Sequence, residues 1–401
     1  MVTTLAIILG KLIARVSRTL NFGGGSAAPG LYALKIDPKL IEKLSAKIPH
    51  NIVITGTNGK TTTAKMLAHL AKNNGLKVIR NSTGSNLERG IASTLLTFKG
   101  RADLGIWELD EAAFNTVAPK LKPEIVAFLN ISRDQLDRYG ELDKVVNNWA
   151  TTVSLLNPET IVLINEDDKH LSKLKNHFKG KVEKFGRKNI KHLQTKGLIG
   201  SNFQFTINNK LLTINLPIPG LYHVYDAVAA LVIAHYLTLR THTFKDFQPA
   251  FGRFEKLPFG FIFLIKNPAG ATGVFETIAN QLKPKDRLLI ALNDNLADGR
   301  DVSWIWDANF EVLLQNSSRA KSRDLYIICS GKRATDMAVR LKYAGFDPNT
   351  ISVEVDPKKA LKQAREGLKG KLYILPTYTA LLQLQRILAK MGIKEHYWKE
   401  I

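Results

Sequence analysis

The chain has one cysteine, Cys329, in 401 residues. That excludes an intramolecular disulfide framework and any zinc site built on cysteines alone, and it favours a reducing compartment. Long apolar runs are missing too. A membrane span needs roughly 18 apolar residues, and the longest run near the N-terminus, Leu5 to Leu9, is soon interrupted by Lys11, Arg15 and Arg18. Those charges follow the apolar stretch and no small-residue cleavage site closes it, so residues 1–20 do not read as a secretory signal. Negative charge is scarce: 35 Asp and Glu against 57 Lys and Arg leave a formal charge of +22. A field of that sign attracts nucleic acid, anionic membrane or a polyanionic substrate. No dense Lys/Arg block marks a nucleic-acid arm, so no nucleic acid is expected as a partner. Internal repeats and low-complexity segments are absent. What remains is ordinary globular material, 45% hydrophobic and 23% charged, which excludes disorder. At about 150 residues per domain the length suggests two to three domains.

Residues 1–20 place Leu5, Ile8, Leu9, Leu12, Ile13 and Val16 at helical spacing, with Lys11, Arg15 and Arg18 largely off that face. This predicts an amphipathic helix. Its apolar face suits either the chain's own next domain or an anionic bilayer, and the first is the expectation. A turn-rich stretch, Gly23 to Gly30, leads to a short helix around Pro38 to Ala46. From Asn51 short apolar runs (Ile52–Thr55, Gly105–Leu109, Ile125–Asn130, Ile161–Asn165) alternate with helical stretches, which is the pattern of βαβ units on a mostly parallel sheet. Residues 181–217 read as short β segments and Ala227 to Leu239 as a long helix. A second α/β round starts near Phe251, with strands at Phe261–Ile265, Arg287–Leu292, Leu325–Cys329 and Leu372–Leu375. The expected organisation is an N-terminal helix and linker (1–50), a central domain (51–245) and a second Rossmann-like α/β domain (246–401).

The strongest chemical signal follows the strand Ile52–Thr55: Gly56, Thr57, Asn58, Gly59, Lys60, Thr61, Thr62, then a helix. A strand feeding a glycine-containing turn that opens a helix directs backbone N–H groups and the positive helix end at phosphates. A lysine there reaches the β/γ oxygens, and the next hydroxyl ligates Mg2+. The general GxxxxGK pattern wants glycine where this chain has Ile54. The next strand ends in Glu108, Leu109, Asp110 and Glu111. An acidic strand end is by itself more often a solvated loop.

The shortened GTNGKTT turn resembles the P-loop of the Mur ligase and folylpolyglutamate synthetase family, ATP-dependent enzymes that join an amine to a carboxylate through an acyl phosphate. The resemblance assigns Glu108 to the Mg2+ held by Thr61. The segment Asn130 to Gly140 is similar to a further family pattern, but Gln135 stands where most members have a metal-binding histidine, and a neutral amide is a weak ligand. No lysine for carbamylation stands at Asn147 to Ala150. Gly220 to Ala230 resembles the family's adenine-side segment, with His223 and Asp226 in place of asparagines; Asn86 and Arg253 complete the expected nucleotide contacts. Only 55 residues precede Gly56, too few for the domain with which nucleotide-substrate Mur ligases begin.

The C-terminal half narrows the resemblance. Lys266 to Gly270, Leu292 to Asp307, Asn81 to Asn86 and Pro376 to Leu381 look like the MurT-type subunits of lipid II isoglutaminyl synthase. Between 181 and 217, where such proteins commonly carry a four-cysteine zinc ribbon, this chain has no cysteine, so no zinc site is expected. The resemblance implies ATP and Mg2+ as cofactors. It implies amidation of the D-glutamate α-carboxylate in a peptidoglycan stem peptide, carried by lipid II at the inner membrane face. It also implies a GatD-type glutamine amidotransferase partner that supplies ammonia, with Asp301 completing a triad on the partner's histidine. A folylpolyglutamate-type amino-acid ligase and a basic nucleic-acid-binding P-loop protein are the alternatives, the latter predicting steeply salt-dependent DNA binding.

Overall fold

The computed structural model describes residues 2–19, 27–82, 85–132, 142–207, 210–240, 242–315 and 325–395. The first sheet contains β1 (His50–Thr55), β2 (Val78–Arg80), β3 (Leu104–Leu109), β4 (Ile125–Phe128), β5 (Ile161–Asn165) and β6 (Val182–Phe185). Its order is β2-β3-β1-β4-β5-β6, with every pairing parallel. Helices on both faces bury such strands completely, which is why β3 and β4 are inaccessible along their whole length. The chain runs from β1 outward to β2 and β3 on one side and then to β4 on the other. The crevice beyond the carboxyl end of β1 is therefore a topological switch point, the usual place for a ligand in an open α/β sheet.

Residues 190–216 form a separate antiparallel sheet of β7 (Ile190–Thr195), β8 (Ser201–Ile207) and β9 (Lys210–Leu216). The remaining strands are β10 (Arg253–Leu257), β11 (Gly260–Phe263), β12 (Arg287–Ala291), β13 (Tyr326–Ser330), β14 (Ile351–Val353) and β15 (Leu372–Pro376), in the order β10-β11-β15-β12-β13-β14. All pair in parallel except β10 with β11. Here too β12 and β15 flank a switch point. The mostly parallel α/β reading of the sequence holds in both sheets; β10 and β14, short and at the edges, carried too little apolar pattern to be read.

The principal helices are α1 (Val2–Thr19), α2 (Ala28–Ile36), α3 (Leu40–Ser45), α4 (Lys60–Asn73), α5 (Glu88–Thr97), α6 (Phe114–Leu121), α7 (Leu142–Ser154), α8 (Leu221–Tyr236), α9 (Pro268–Ala279), α10 (Ala334–Tyr343), α11 (Pro357–Arg365) and α12 (Tyr378–Lys390). Two departures from the sequence reading concern the N-terminus. The turn-rich stretch ends earlier than its composition suggests, because Pro29 falls in the first turn of α2, where its missing N–H costs nothing. Gly30 packs α2 against α5 so closely that a Cβ would meet the Arg89 carbonyl and the Ser93 nitrogen. The second departure is the face α1 uses. Ala6, Gly10 and Ala14 are buried, while Leu5, Ile8, Leu12 and Val16 are exposed. Small residues let helices approach closely, and α1 docks on α2 and α5 through them rather than through its larger side chains.

Candidate active site

Gly56 and Gly59 take positive φ values of 136° and 88°, backbone that glycine adopts without the Cβ penalty. Between them the loop is pinned from β4: Thr57 N–H donates to the Asn130 carbonyl (3.0 Å) and Asn58 N–H to Asn130 Oδ1 (2.9 Å), while Asn130 Nδ2 donates to the Asn58 carbonyl (3.0 Å). Gly59 caps α4 with no side chain, so the first-turn N–H groups of Lys60, Thr61 and Thr62 point toward whatever is seated ahead of the helix. Lys60 Nζ folds over the loop to the Gly56 and Thr57 carbonyls and lies 3.4 Å from Glu111 Oε2. Trp149, buried in α7, donates to the main-chain carbonyl of Glu111 (2.9 Å) and so holds the backbone of that residue.

Thr61 Oγ1 donates to Glu108 Oε2 at 2.7 Å, joining the start of α4 to the end of β3. A hydroxyl and a carboxylate side by side at the mouth of a P-loop form an oxygen donor set that fits Mg2+. Glu108 is only 2% exposed. Burial pushes its carboxyl above the usual carboxylate range, opposed by the Thr61 hydroxyl and by Arg80, Lys60 and Arg253. Arg80 approaches Glu108 Oε1 at 3.7 Å from the end of β2. The next residue, Asn81, accepts from Glu108 N–H (2.9 Å) and donates to the Glu108 carbonyl (2.9 Å) and to Asn86 Oδ1 (3.1 Å). Neither Arg80 nor Asn81 was singled out as a site residue. The signal available was a basic and an amide residue ending a strand beside the P-loop strand.

A cavity of about 1090 Å³ opens on the other side of the loop, lined among others by Asn58, Gly59, Tyr222, Asp226, Arg253 and Pro268. Asp226 stands at the turn itself, where a Cβ on Gly59 would run into its Oδ1. Its carboxylate lies 3.2 Å from His223 Nδ1 and accepts from Thr63 Oγ1 at 3.4 Å. Burial raises the Asp226 pKa, with His223, Arg253 and Thr63 pulling the other way. The second α/β unit reaches the loop through Asn267, the N-cap of α9. Asn58 and Asn267 exchange a reciprocal pair of amide hydrogen bonds (3.2 and 3.0 Å), and Asn267 Oδ1 also accepts from Gly270 N–H (2.8 Å). Thus Gly56 to Thr62, Asn86, Glu108, His223, Asp226 and Arg253, distant in sequence, gather around one loop. Gln135, the remaining candidate metal ligand, lies outside the described residues.

Residues 54–234 match the Mur ligase middle domain and residues 264–381 the MurT ligase C-terminal family. The chain is 31% identical to the lipid II isoglutaminyl synthase (glutamine-hydrolyzing) subunit MurT of Staphylococcus aureus (strain COL), over 94% of this chain and 95% of that one. It is 30% identical to the subunit of the same name from Streptococcus pneumoniae (strain ATCC BAA-255 / R6), over 98% of both. The chain belongs to the MurT family of Mur ligases. Its fold is also that of the MurF ligase of Thermotoga maritima in complex with ADP, with a TM-score of 0.69 at 16% identity over 92% of this chain and 85% of that one. The folylpolyglutamate synthase of Mycobacterium tuberculosis, complexed with ADP, gives a TM-score of 0.65 at 16% identity over 87% and 92%. These two likenesses speak for the fold alone.

Two further features lie outside the phosphate-loop cluster. Asp301 does not line the cavity; it sits on the exposed loop after β12, and its Oδ1 accepts from Ser303 N–H (2.8 Å), the Asx-type turn that a loop rich in Asn, Asp and Gly favours. The same loop is tied to the start of α12. Asp298 accepts from Thr379 N–H (2.7 Å) and Thr379 Oγ1 (2.5 Å), and Asn293 and Asn295 donate to that hydroxyl at 3.0 and 2.7 Å. The second feature is the sheet β7–β9, where Phe203, Phe205, Ile214 and Leu216 are buried in the core shared with α8. Apolar packing holds these strands, and among the described residues no group of three or more His, Cys, Asp and Glu is placed to hold a metal ion. Purified protein should therefore carry well under one equivalent of zinc, and a chelator should move its melting temperature by no more than about 2 °C. Metal analysis giving one tightly held zinc per chain would contradict this.

Proposed function

We propose that this chain phosphorylates the free α-carboxylate of D-glutamate in the stem peptide of lipid II, using ATP, and that ammonia then displaces the phosphate to give D-isoglutamine. In the first step the carboxylate oxygen attacks the γ-phosphorus and ADP leaves. In the second the nitrogen lone pair attacks the acyl carbon, the amine loses a proton and inorganic phosphate departs. Lys60 neutralises charge on the β and γ oxygens as the phosphoryl group moves, while the first-turn N–H groups of α4 orient it. Thr61 and Glu108 would hold Mg2+, which would offset the charge of the phosphates. Gly56 to Gly59, Thr62, Asn86, His223, Asp226 and Arg253 would position the nucleotide, the last three from the walls of the cavity.

The ammonia would come from a GatD-type glutamine amidotransferase bound at the loop after β12, whose histidine Asp301 would orient. The substrate is lipid-linked, so the reaction takes place at the inner face of the cell membrane. The observation that carries this reading is the Thr61–Glu108 contact at 2.7 Å beside Lys60, in a chain related to MurT subunits over nearly its whole length. Incubating the purified chain with lipid II, MgATP and ammonium, without any partner, should yield amidated lipid II and one ADP per amide, read by mass spectrometry and a coupled ADP assay. ATP hydrolysis that ignores lipid II, with no amide formed, would sink the reading.

A further inference from the structure

Among the described residues nothing covers the outward face of α1. Val2, Leu5, Ile8, Leu12 and Val16 are 54, 58, 61, 55 and 47% exposed, and they form one stripe along the helix. At 3.6 residues per turn the stripe lies opposite no gap in the fold: the inward arc is already filled by Ala6, Gly10 and Ala14, with a Cβ on Gly10 falling 2.7 Å from Leu96 Cδ1. The helix is also fastened at its start, since Thr3 Oγ1 donates to Asp37 Oδ2 (2.7 Å) and Lys43 Nζ donates to both Thr3 Oγ1 (3.0 Å) and Asp37 Oδ2 (2.8 Å). It is a docked helix showing its large apolar side chains to solvent.

We infer that this face is a membrane-contact surface, and that α1 lies in the plane of an anionic lipid monolayer with Val2, Leu5, Ile8, Leu12 and Val16 in the acyl boundary. Charge selects this occupant. Residues 2–19 contain no acidic residue, Lys11 and Arg15 run along one flank of the stripe, and the first 50 residues hold seven basic side chains against two acidic ones. A straight apolar stripe about 21 Å long with a basic margin complements a flat surface that is apolar below and negative at its rim. Each basic residue near such a surface adds to the attraction, and the chain's +22 charge acts in the same direction. This extends the proposed function by saying how a chain with no helix long and apolar enough to span a bilayer among its described residues reaches a lipid-linked substrate.

The test uses the full chain and vesicles containing no peptidoglycan precursor, so its outcome is independent of the catalytic reading, which is assayed separately with detergent-dispersed lipid II. In sedimentation with phosphatidylglycerol/phosphatidylcholine vesicles the parent should bind at least about tenfold more tightly than to phosphatidylcholine alone, and the preference should weaken in high salt. The variant Leu5→Gln/Ile8→Gln/Leu12→Gln should lose about tenfold or more of that binding, and Lys11→Gln/Arg15→Gln should lose the preference for anionic lipid. Because the triple variant changes only outward side chains, its thermal unfolding should match the parent's. Ile8→Trp gives a second measurement, in which the emission difference from the parent should shift to the blue on adding anionic vesicles. Equal vesicle binding by parent and triple variant, no binding by the parent, or an unshifted Ile8→Trp signal would each overturn the inference. So would a parent that ignores vesicles but runs as a dimer dispersed by the triple variant, since the stripe would then join two copies.

Discussion

Lys60→Ala is expected to lower ATP-dependent amidation by about a thousandfold or more, equally with glutamine and with ammonium as nitrogen source. The side chain supplies a point charge over a loop whose other contributions are backbone dipoles, and Arg80, the cation at the end of β2, is turned to Glu108 Oε1. The loss should fall on turnover, because charge on the transferring phosphoryl group develops as the bond to ADP breaks. The fold should survive, since among the described residues the hydrogen bonds of the Lys60 side chain go to loop carbonyls and to Glu111. The check is a steady-state amidation assay with both nitrogen sources, alongside thermal unfolding of the variant. Near-normal turnover in a folded variant would remove the P-loop from the chemistry.

Asp301→Asn should separate the two nitrogen sources. In the complex with a glutaminase subunit, glutamine-dependent amidation should fall by about two to four orders of magnitude, because an amide can impose the wrong tautomer on the partner's histidine and cannot stabilise imidazolium. With ammonium supplied directly, the rate should stay within about twofold of the parent, since Lys60, Thr61 and Glu108 are untouched. The local structure favours this comparison. Asp301 Oδ1 accepts from Ser303 N–H, a bond that an asparagine carbonyl can also accept, so the turn keeps its shape. The rest of the loop is held by Asp298 through Thr379. Equal loss with both nitrogen sources would place Asp301 in the ligase chemistry or in the fold. No loss with either would leave it as a turn residue only.

Much of this architecture is written in local pattern. Buried parallel strands such as β1, β3 and β4 appear as continuous apolar runs, and the glycines flanking Thr57 and Asn58 announce a turn before any coordinates do. The Thr61–Glu108 pair was reachable through the resemblance to the Mur ligase family, since an acidic strand end by itself reads as a solvated loop. What escaped was set by packing between distant segments. Nothing in the spacing of residues 1–20 says which arc of α1 faces inward, because the periodicity marks large apolar side chains whereas the docked arc is chosen by what Ala6, Gly10 and Ala14 leave room for. Gly30 belongs to a helix only because α5 lies against it. Arg80 and Asn81 acquire meaning from β2 pairing with β3, and the Asn58–Asn267 pair spans 209 positions, a separation at which composition carries no signal.

That amide pair has a consequence for how the two α/β units communicate. Neither partner titrates, so the link between the Gly56–Gly59 turn and the N-terminus of α9 is insensitive to acid or base. It is also symmetric, with each side chain giving one hydrogen and accepting one, so altering either side removes one donated and one accepted hydrogen bond from the other. The pair ties the N-terminus of α9 directly to the Gly56–Gly59 turn, and a ligand that drew on either amide would compete with that tie.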